Sequence, residues 1–378
     1  MRYIYLDNSA TTMVCKEAAQ KALEIMTEKY GNPSSLHSKG FEAQKELESA
    51  REAAAALIQA EKDEIYFTSG GTESNNTAVL GAAEALARRG SRIVTTSVEH
   101  SSVIEAMQRL EARGFEVIYL NPDSSGRIST GQLAEVIDKK TILVSIMAVN
   151  NETGAVQPIE AVRRLIDRAG APALFHVDAV QAFGKLPLKP KKTGIDLLSA
   201  SSHKIHGPKG AGLLYIRKGA RIIPLHYGGE QEKKIRPGTE PIPAICGMGA
   251  AIRALPDMKQ EMEYIRSLEE RCRQGLLKIK NVHINSDEEC LPYIINFSVR
   301  GIRSETMLHY LAQKGIFVSS GSACAKGKKS HVLTAMGLSQ ELADSAVRVS
   351  FSRYNTADDV DDLLKELTNA DNTLARIR

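Results

Sequence analysis

The sequence predicts an α/β fold, with a large unit built on a mostly parallel sheet and a smaller α+β unit after it. Two observations carry this expectation. From about residue 38 to 216, short apolar runs alternate with helical patterns, as in successive βαβ units whose sheet is covered on both faces. Beyond Gly238 that alternation gives way to a long helical stretch followed by short strands and helices.

The elements follow in order. Residues 64–68 (EIYFT), 92–96 (RIVTT) and 116–120 read as strands, with helices expected over 73–88 and 102–113 between them. Residues 142–149 (ILVSIMAV) form a continuous apolar run, the pattern of a strand buried on both faces. A helix over 159–169 and a strand over 173–177 (ALFHV) follow, then a further apolar strand around IDLL. Residues 243–280 read as one long helix broken at Pro256, because proline removes a backbone donor and clashes with the preceding turn. Strands over 282–285, 293–299, 316–319 and 348–352, a helix over 304–314 and a last helix from about Thr356 complete the smaller unit.

Composition narrows the function classes. The chain has 378 residues, 43% hydrophobic and 25% charged, with a net charge of +4. These are values of an ordinary globular protein, and the charge is too small and too dispersed to argue for direct nucleic-acid binding. The basic runs 189–192 (KPKK) and 326–329 (KGKK) read as solvated loops. No stretch approaches the roughly 18 apolar residues of a membrane span. Five cysteines, with no C-x-x-C and no secretory leader pattern, point to free thiols and a cytoplasmic setting.

Four segments carry chemistry. In residues 68–76 (TSGGTESNN) a strand gives way to two glycines and a helix start. Gly71 and Thr72 there suit an anion such as phosphate, or simply a tight helix cap. In residues 175–181 (FHVDAVQ), Asp178 ends a buried strand, where ligands of open α/β sheets bind. A cationic ring nitrogen would satisfy its charge, or it caps a following helix. In residues 199–210 (SASSHKIHGPKG), Lys204 follows the next strand and could form a Schiff base with an aldehyde, with Ser201 and His203 in reach of a phosphate. In residues 319–329 (SSGSACAKGKK), Cys324 lies in a small-residue loop beside Lys326, Lys328 and Lys329, which favour the thiolate. Cys15, Cys246, Cys272 and Cys290 read as packing residues.

With YLDNSATT, GNPSSLH, SVEHSSV, NNETGAVQPI, HVDAVQAFGK, RPGTE and RVSFSRYNT also present in order, the chain resembles the cysteine desulfurases (NifS/IscS-like) of the class V aminotransferase group over nearly its whole length. That resemblance implies a fold-type-I pyridoxal 5'-phosphate (PLP) enzyme, with a mostly parallel seven-stranded sheet in a large domain (15–255) and a small domain (1–14 and 256–378). It implies that Lys204 is the Schiff-base lysine, that Asp178 pairs with the pyridine nitrogen, and that Gln181 and Asn151 bond near the ring hydroxyl. Thr72, Ser201 and His203 would hold the phosphate. His100 would lie over the ring and handle protons, and Thr239 would reach the phosphate of a neighbouring subunit in a homodimer. Arg348 would grip the carboxylate of L-cysteine, and Cys324 would accept its sulfur as a persulfide.

The resemblance also implies a sulfur-acceptor protein, either an iron–sulfur scaffold or a tRNA-thiolation enzyme. The cysteine loop departs from the common long-loop pattern. Only six residues separate Cys324 from His331, the usual Glu-Pro is missing, and the loop is more basic. A selenocysteine lyase, another class V aminotransferase and a non-catalytic delivery protein are the competing readings.

Overall fold

The computed structural model describes residues 3–320 and 330–376. The strands among them are β1 (Ile4–Tyr5), β2 (Ile65–Thr68), β3 (Arg92–Thr96), β4 (Glu116–Leu120), β5 (Thr141–Met147) and β6 (Leu174–Asp178). They continue with β7 (Leu197–Ser201), β8 (Gly212–Ile216), β9 (Val282–Ile284), β10 (Ile294–Val299), β11 (Ile316–Phe317) and β12 (Ala346–Ser350).

Seven of these form one sheet in the order β2-β8-β7-β6-β5-β3-β4. Every residue of β5, β7 and β8 is buried, as expected of strands covered on both faces. At the edge, β4 keeps Glu116 exposed and the next three residues half-buried. The sheet is parallel except for β8, which runs antiparallel to both β7 and β2. Only residues 202–211 join β7 to β8, too few for a parallel crossover, so the chain must double back. That short return carries Lys204.

The order also fixes where a ligand can sit. From β3 the chain crosses to β4 at one edge, whereas from β5 it proceeds to β6 on the other side. The two strands pair from Arg92 with Thr141 as far as Val94 with Val144 and then part. A crevice beyond the carboxyl ends of β3 and β5 results, the preferred ligand position in open α/β sheets.

Strands β12, β10 and β9 form an antiparallel sheet packed by the helices Met258–Leu276, Ser304–Gln313 and Ala357–Thr373. The long helical stretch is broken as expected. Helix Ile242–Arg253 stops before Pro256, and Asp257 caps the next helix by accepting from Lys259 N and Gln260 N, each at 3.0 Å. Among the elements that sequence periodicity leaves without a definite assignment are helix Lys16–Thr27, helix Ser38–Ile58, helix Thr130–Val136 and strand β8. The basic run 189–192 is not a plain loop, since Pro190–Thr193 makes one helical turn and Lys191 pairs with Glu61 at 2.9 Å. The run 326–329 lies outside the described residues. No helix among the described residues is long and apolar enough to cross a membrane.

The first residues connect the two sheets. Strand β1 pairs in parallel with β11, and Asp7 bridges to Ser350. Asn8 Nδ2 donates to Ser350 O at 2.9 Å, and Ser9 N donates to Ser350 Oγ at 2.8 Å.

Gly212 on β8 faces Thr68 of β2 and lies under the turn that follows β2. A Cβ there would stand 2.5 Å from Gly70 Cα and 2.7 Å from Gly70 N. Gly212→Ala is therefore expected to cost about 1–3 kcal/mol, from forced backbone movement in a packed region. Urea unfolding would show this as a lower midpoint at unchanged slope; an unchanged midpoint would mean that the turn yields freely.

Candidate active site

Asp178 closes β6 and is almost wholly buried. A buried carboxylate needs donors, and a distant helix and the local chain supply one each. Asn75 Nδ2 donates to Oδ2 at 2.7 Å, and Val180 N donates to Oδ1 at 2.9 Å. The residues after Asp178 make turns rather than the helix that the sequence also allowed. Asn75 lies on the helix Gly71–Leu86 and also donates to Ser102 Oγ at 2.8 Å, leaving its own Oδ1 buried with no partner among the described residues.

Lys204 follows β7 in the short return, half-buried. Its Nζ donates to Ser9 O at 2.5 Å and Ala10 O at 2.8 Å, so the N-terminal arm cradles the ammonium. Gln181 Nε2 reaches the same Ser9 carbonyl at 2.9 Å, while Gln181 Oε1 is buried without a partner among the described residues.

The turn after β2 ends at Gly70, whose φ of +156° suits glycine, and the helix starts at Gly71. A Cβ on Gly71 would meet Val180 Cγ2 at 2.7 Å and Ser201 Cβ at 3.7 Å, so the helix start touches the ends of both neighbouring strands. Ser201 closes β7, with its Oγ buried and unpaired among the described residues. His203 shares a hydrogen bond with Thr11 Oγ1 at 3.2 Å; burial, with Lys204 and Lys209 nearby, lowers its pKa to about 4. It therefore serves as a neutral hydrogen-bonding ring. Thr72 lies exposed in a cavity of about 930 Å³ that Asn76, Glu73, Arg236 and Thr239 also line.

His100 is the N-cap of the helix Ser101–Glu111. Its Nδ1 accepts from Ser102 N at 3.1 Å and lies 2.8 Å from Ser102 Oγ, which leaves the ring proton on Nε2. Burial lowers its pKa; Asp178 opposes that shift, while Lys204 and His331 add to it. His331 Nε2 donates to Glu99 O at 2.9 Å. Glu152, in the turn after β5, is buried with its pKa raised by desolvation and accepts from Ser330 Oγ at 2.5 Å.

Arg348 on β12 is 2% exposed. Nη1 donates to Asn151 O at 2.9 Å and Nη2 to Asp7 Oδ1 at 2.8 Å. Nε is buried and unpaired among the described residues. The guanidinium is thus held on two sides with donors to spare.

The structure therefore gathers Lys204, Asp178, His100, Gln181, Ser201, His203, Gly71 and Thr72 around the carboxyl edge of one sheet, and ties Arg348 to Asn151 from the other. Thr239 shares the cavity of Thr72. Cys324 lies outside the described residues. Cys15, Cys246, Cys272 and Cys290 are buried, as packing residues should be. Asn75, Ser102, Glu99 and Glu152 join the site without a role expected from the sequence. Polar residues on helix faces and turns that must be buried are the signal that could have found them.

The fold and this arrangement define an aminotransferase of class V, whose family model matches residues 4–363. The chain belongs to that family, and within it to the cysteine desulfurases of the IscS and NifS type. It is 44% identical to cysteine desulfurase IscS of Methanosarcina thermophila, over 96% of this chain and 90% of the relative. A solved NifS-like protein superposes with a TM-score of 0.93 at 39% identity, covering 99% of this chain and 100% of the other. The structure of SspA in complex with cysteine gives a TM-score of 0.83 at 34% identity, over 93% of this chain and 100% of that one. The fold is that of fold-type-I PLP enzymes. Members of this family depend on PLP, and the residues here fit such a group: Ser201 Oγ and Gln181 Oε1 with no partner among the described residues, a glycine turn at a helix start, a strand-end carboxylate and a strand-end lysine.

Removing the Asn75 amide should leave Asp178 short of a donor. Asn75→Ala is expected to lower the stability of the cofactor-free chain by about 1–3 kcal/mol, read from urea unfolding. A change of less than about 0.5 kcal/mol, the usual range for surface substitutions, would show that water replaces the amide at no cost.

Proposed function

We propose that this chain is a PLP-dependent cysteine desulfurase that converts L-cysteine to L-alanine and passes the sulfur, through Cys324, to an acceptor protein. The observation that carries the reading is the proximity of Lys204 and Asp178 at adjacent strand ends, beside a Ser201 hydroxyl with no partner among the described residues. Family membership and the likeness to SspA in complex with cysteine support the substrate.

In this reading Gly71, Thr72, Ser201 and His203 hold the cofactor phosphate, Asp178 pairs with the ring nitrogen, and Gln181 and Asn151 bond beside the ring hydroxyl. When bound, PLP supplies an aldehyde carbon for Lys204 and a cationic ring able to take up the electron pair released at the substrate α-carbon. Lys204, released from the carbonyls of Ser9 and Ala10, removes the α-proton. Arg348 binds the substrate carboxylate with donors left free by Asp7 and Asn151. His100, neutral and carrying its proton on Nε2, faces the substrate thiol and exchanges a proton with it. Cys324 enters as a thiolate favoured by Lys326, Lys328 and Lys329. Its sulfur bonds to the substrate sulfur as the substrate C–S bond breaks. The electron pair of that bond stays with carbon, which takes protons to become alanine, and Cys324 is left as a persulfide. The balance is one cysteine and one thiol in, one alanine and one persulfide out.

The same reading makes residues 15–255 the cofactor-binding domain and residues 1–14 with 256–378 the smaller one. It makes the enzyme a homodimer in which Thr239 reaches the partner's phosphate. The setting is cytoplasmic, the acceptor is an iron–sulfur scaffold or a tRNA-thiolation enzyme, and neither nucleic acid nor membrane is bound directly.

A spectrum of the purified holoenzyme, followed by L-cysteine with a thiol reductant, tests the reading. A visible band and equal yields of alanine and sulfide are expected; a colourless protein that takes up no PLP, or one that yields neither product, overturns it. Lys204→Ala should lose the band of the lysine-bound cofactor and all turnover, and an unchanged spectrum would remove Lys204 from its role. Cys324→Ser should keep the band and lose sulfide release, while sulfide at the parental rate would exclude Cys324 as the acceptor.

A further inference from the structure

Glu99 lies where β3 and β5 part. It is wholly buried, and its side chain bridges the gap: Oε1 accepts from Met147 N of β5 at 2.8 Å and from Thr96 Oγ1 of β3 at 3.0 Å. Its backbone carries His100 as the next residue and accepts from His331 Nε2 through the Glu99 carbonyl. Met147 stands in register with Asp178 on β6, so the two carboxyl groups flank one strand end. Glu99 Oε2 is buried with no partner among the described residues. A negative charge there would have donors on one oxygen only and would face the Asp178 anion across a single strand, whereas an uncharged acid avoids both costs.

We propose that Glu99 is a positioning residue of this site, a buried uncharged carboxylic acid that joins the ends of β3 and β5, seats His100, and leaves Asp178 as the one anion facing the ring nitrogen. This rests on the role given to Asp178 above. The titratable groups around Glu99 are Asp178 at the end of β6, His100 at the head of its helix and His331 at the head of the helix His331–Ala335, and Glu152 in the turn after β5 acts on the cluster through His331. Lys204, after β7, acts on the same cluster through His100. Burial and the Asp178 charge push Glu99 up to about 8, against the hydrogen bonds from Met147 N and Thr96. Ionisation on the alkaline side then sets a second negative charge beside Asp178 and His100.

Glu99→Gln keeps a neutral acceptor for Met147 N and Thr96, while Glu99→Ala keeps none. In the holoenzyme, the parent's turnover number should fall about tenfold between about pH 7 and pH 9, as the acid form is titrated away. Glu99→Gln should match the parent within about twofold at the lower pH and keep its rate at the higher one. Glu99→Ala should be slow throughout. The visible band of the resting holoenzyme, titrated without cysteine, should shift its pH midpoint in Glu99→Gln.

Thermal melting of the cofactor-free chain gives an independent reading. With its pKa raised in the fold, Glu99 keeps a proton that the unfolded chain loses between the ordinary 4.5 and about 8. The parent's stability therefore declines as pH rises across that window and the decline ends above it. The melting advantage of Glu99→Gln should grow over the same range. Coincident rate and band profiles in parent and Glu99→Gln would overturn the proposal, even with the melting difference present, since Glu99 would then be structural only. A parent with no visible band and no cysteine turnover would instead overturn the reading of the whole site.

Discussion

A carboxylate inside a protein must be surrounded by donors, and much of this molecule is arranged around meeting that demand at Asp178. The amide of Asn75 and the backbone of Val180 occupy one lone pair on each oxygen. Asn75 can reach only because its helix begins tightly against β6 and β7, and the close approach depends on Gly71 having no side chain. The same amide holds Ser102, and Ser102 holds the His100 ring. One buried charge thus sets the position of a helix start, a loop and a titratable ring.

The second requirement is that parts far apart in the chain meet at one edge. Lys204 owes its place to a return between β7 and β8 too short to allow a parallel crossover. Its carbonyl partners come from the N-terminal arm, and that arm is held by β12 of the other sheet. Arg348 on β12 in turn fixes Asp7 and the Asn151 carbonyl, so Arg348 and Lys204 lean on the same arm.

Much of this was legible in the sequence, for identifiable reasons. Strands buried on both faces show as apolar runs, and β5, β6 and β7 were found within a few residues. The break at Pro256 follows from proline chemistry. Lys204, Asp178, Ser201 and His203 stand out because strand ends and glycine turns mark positions with no packing duty. The antiparallel β8 was not assigned, since direction depends on connection length and not on the strand's own residues. Helix Ser38–Ile58, with alanine along much of its second half, has little periodic contrast to find. Asn75, Glu99 and Glu152 act through contacts with distant strands, which no local pattern records. The carbonyl cradle of Ser9 and Ala10 is pure backbone, and any residue type could supply it.

The arm has a consequence for the order in which the molecule is made. Residues 7–12 are synthesised early, yet their binding partners around Ser350 and Arg348 come more than three hundred residues later. Until those partners leave the ribosome, the arm can meet Gln181, His203 and Lys204 but lacks the strand that holds it in place. The seven-stranded sheet can form on the nascent chain, but the site on its edge must wait for the end of translation.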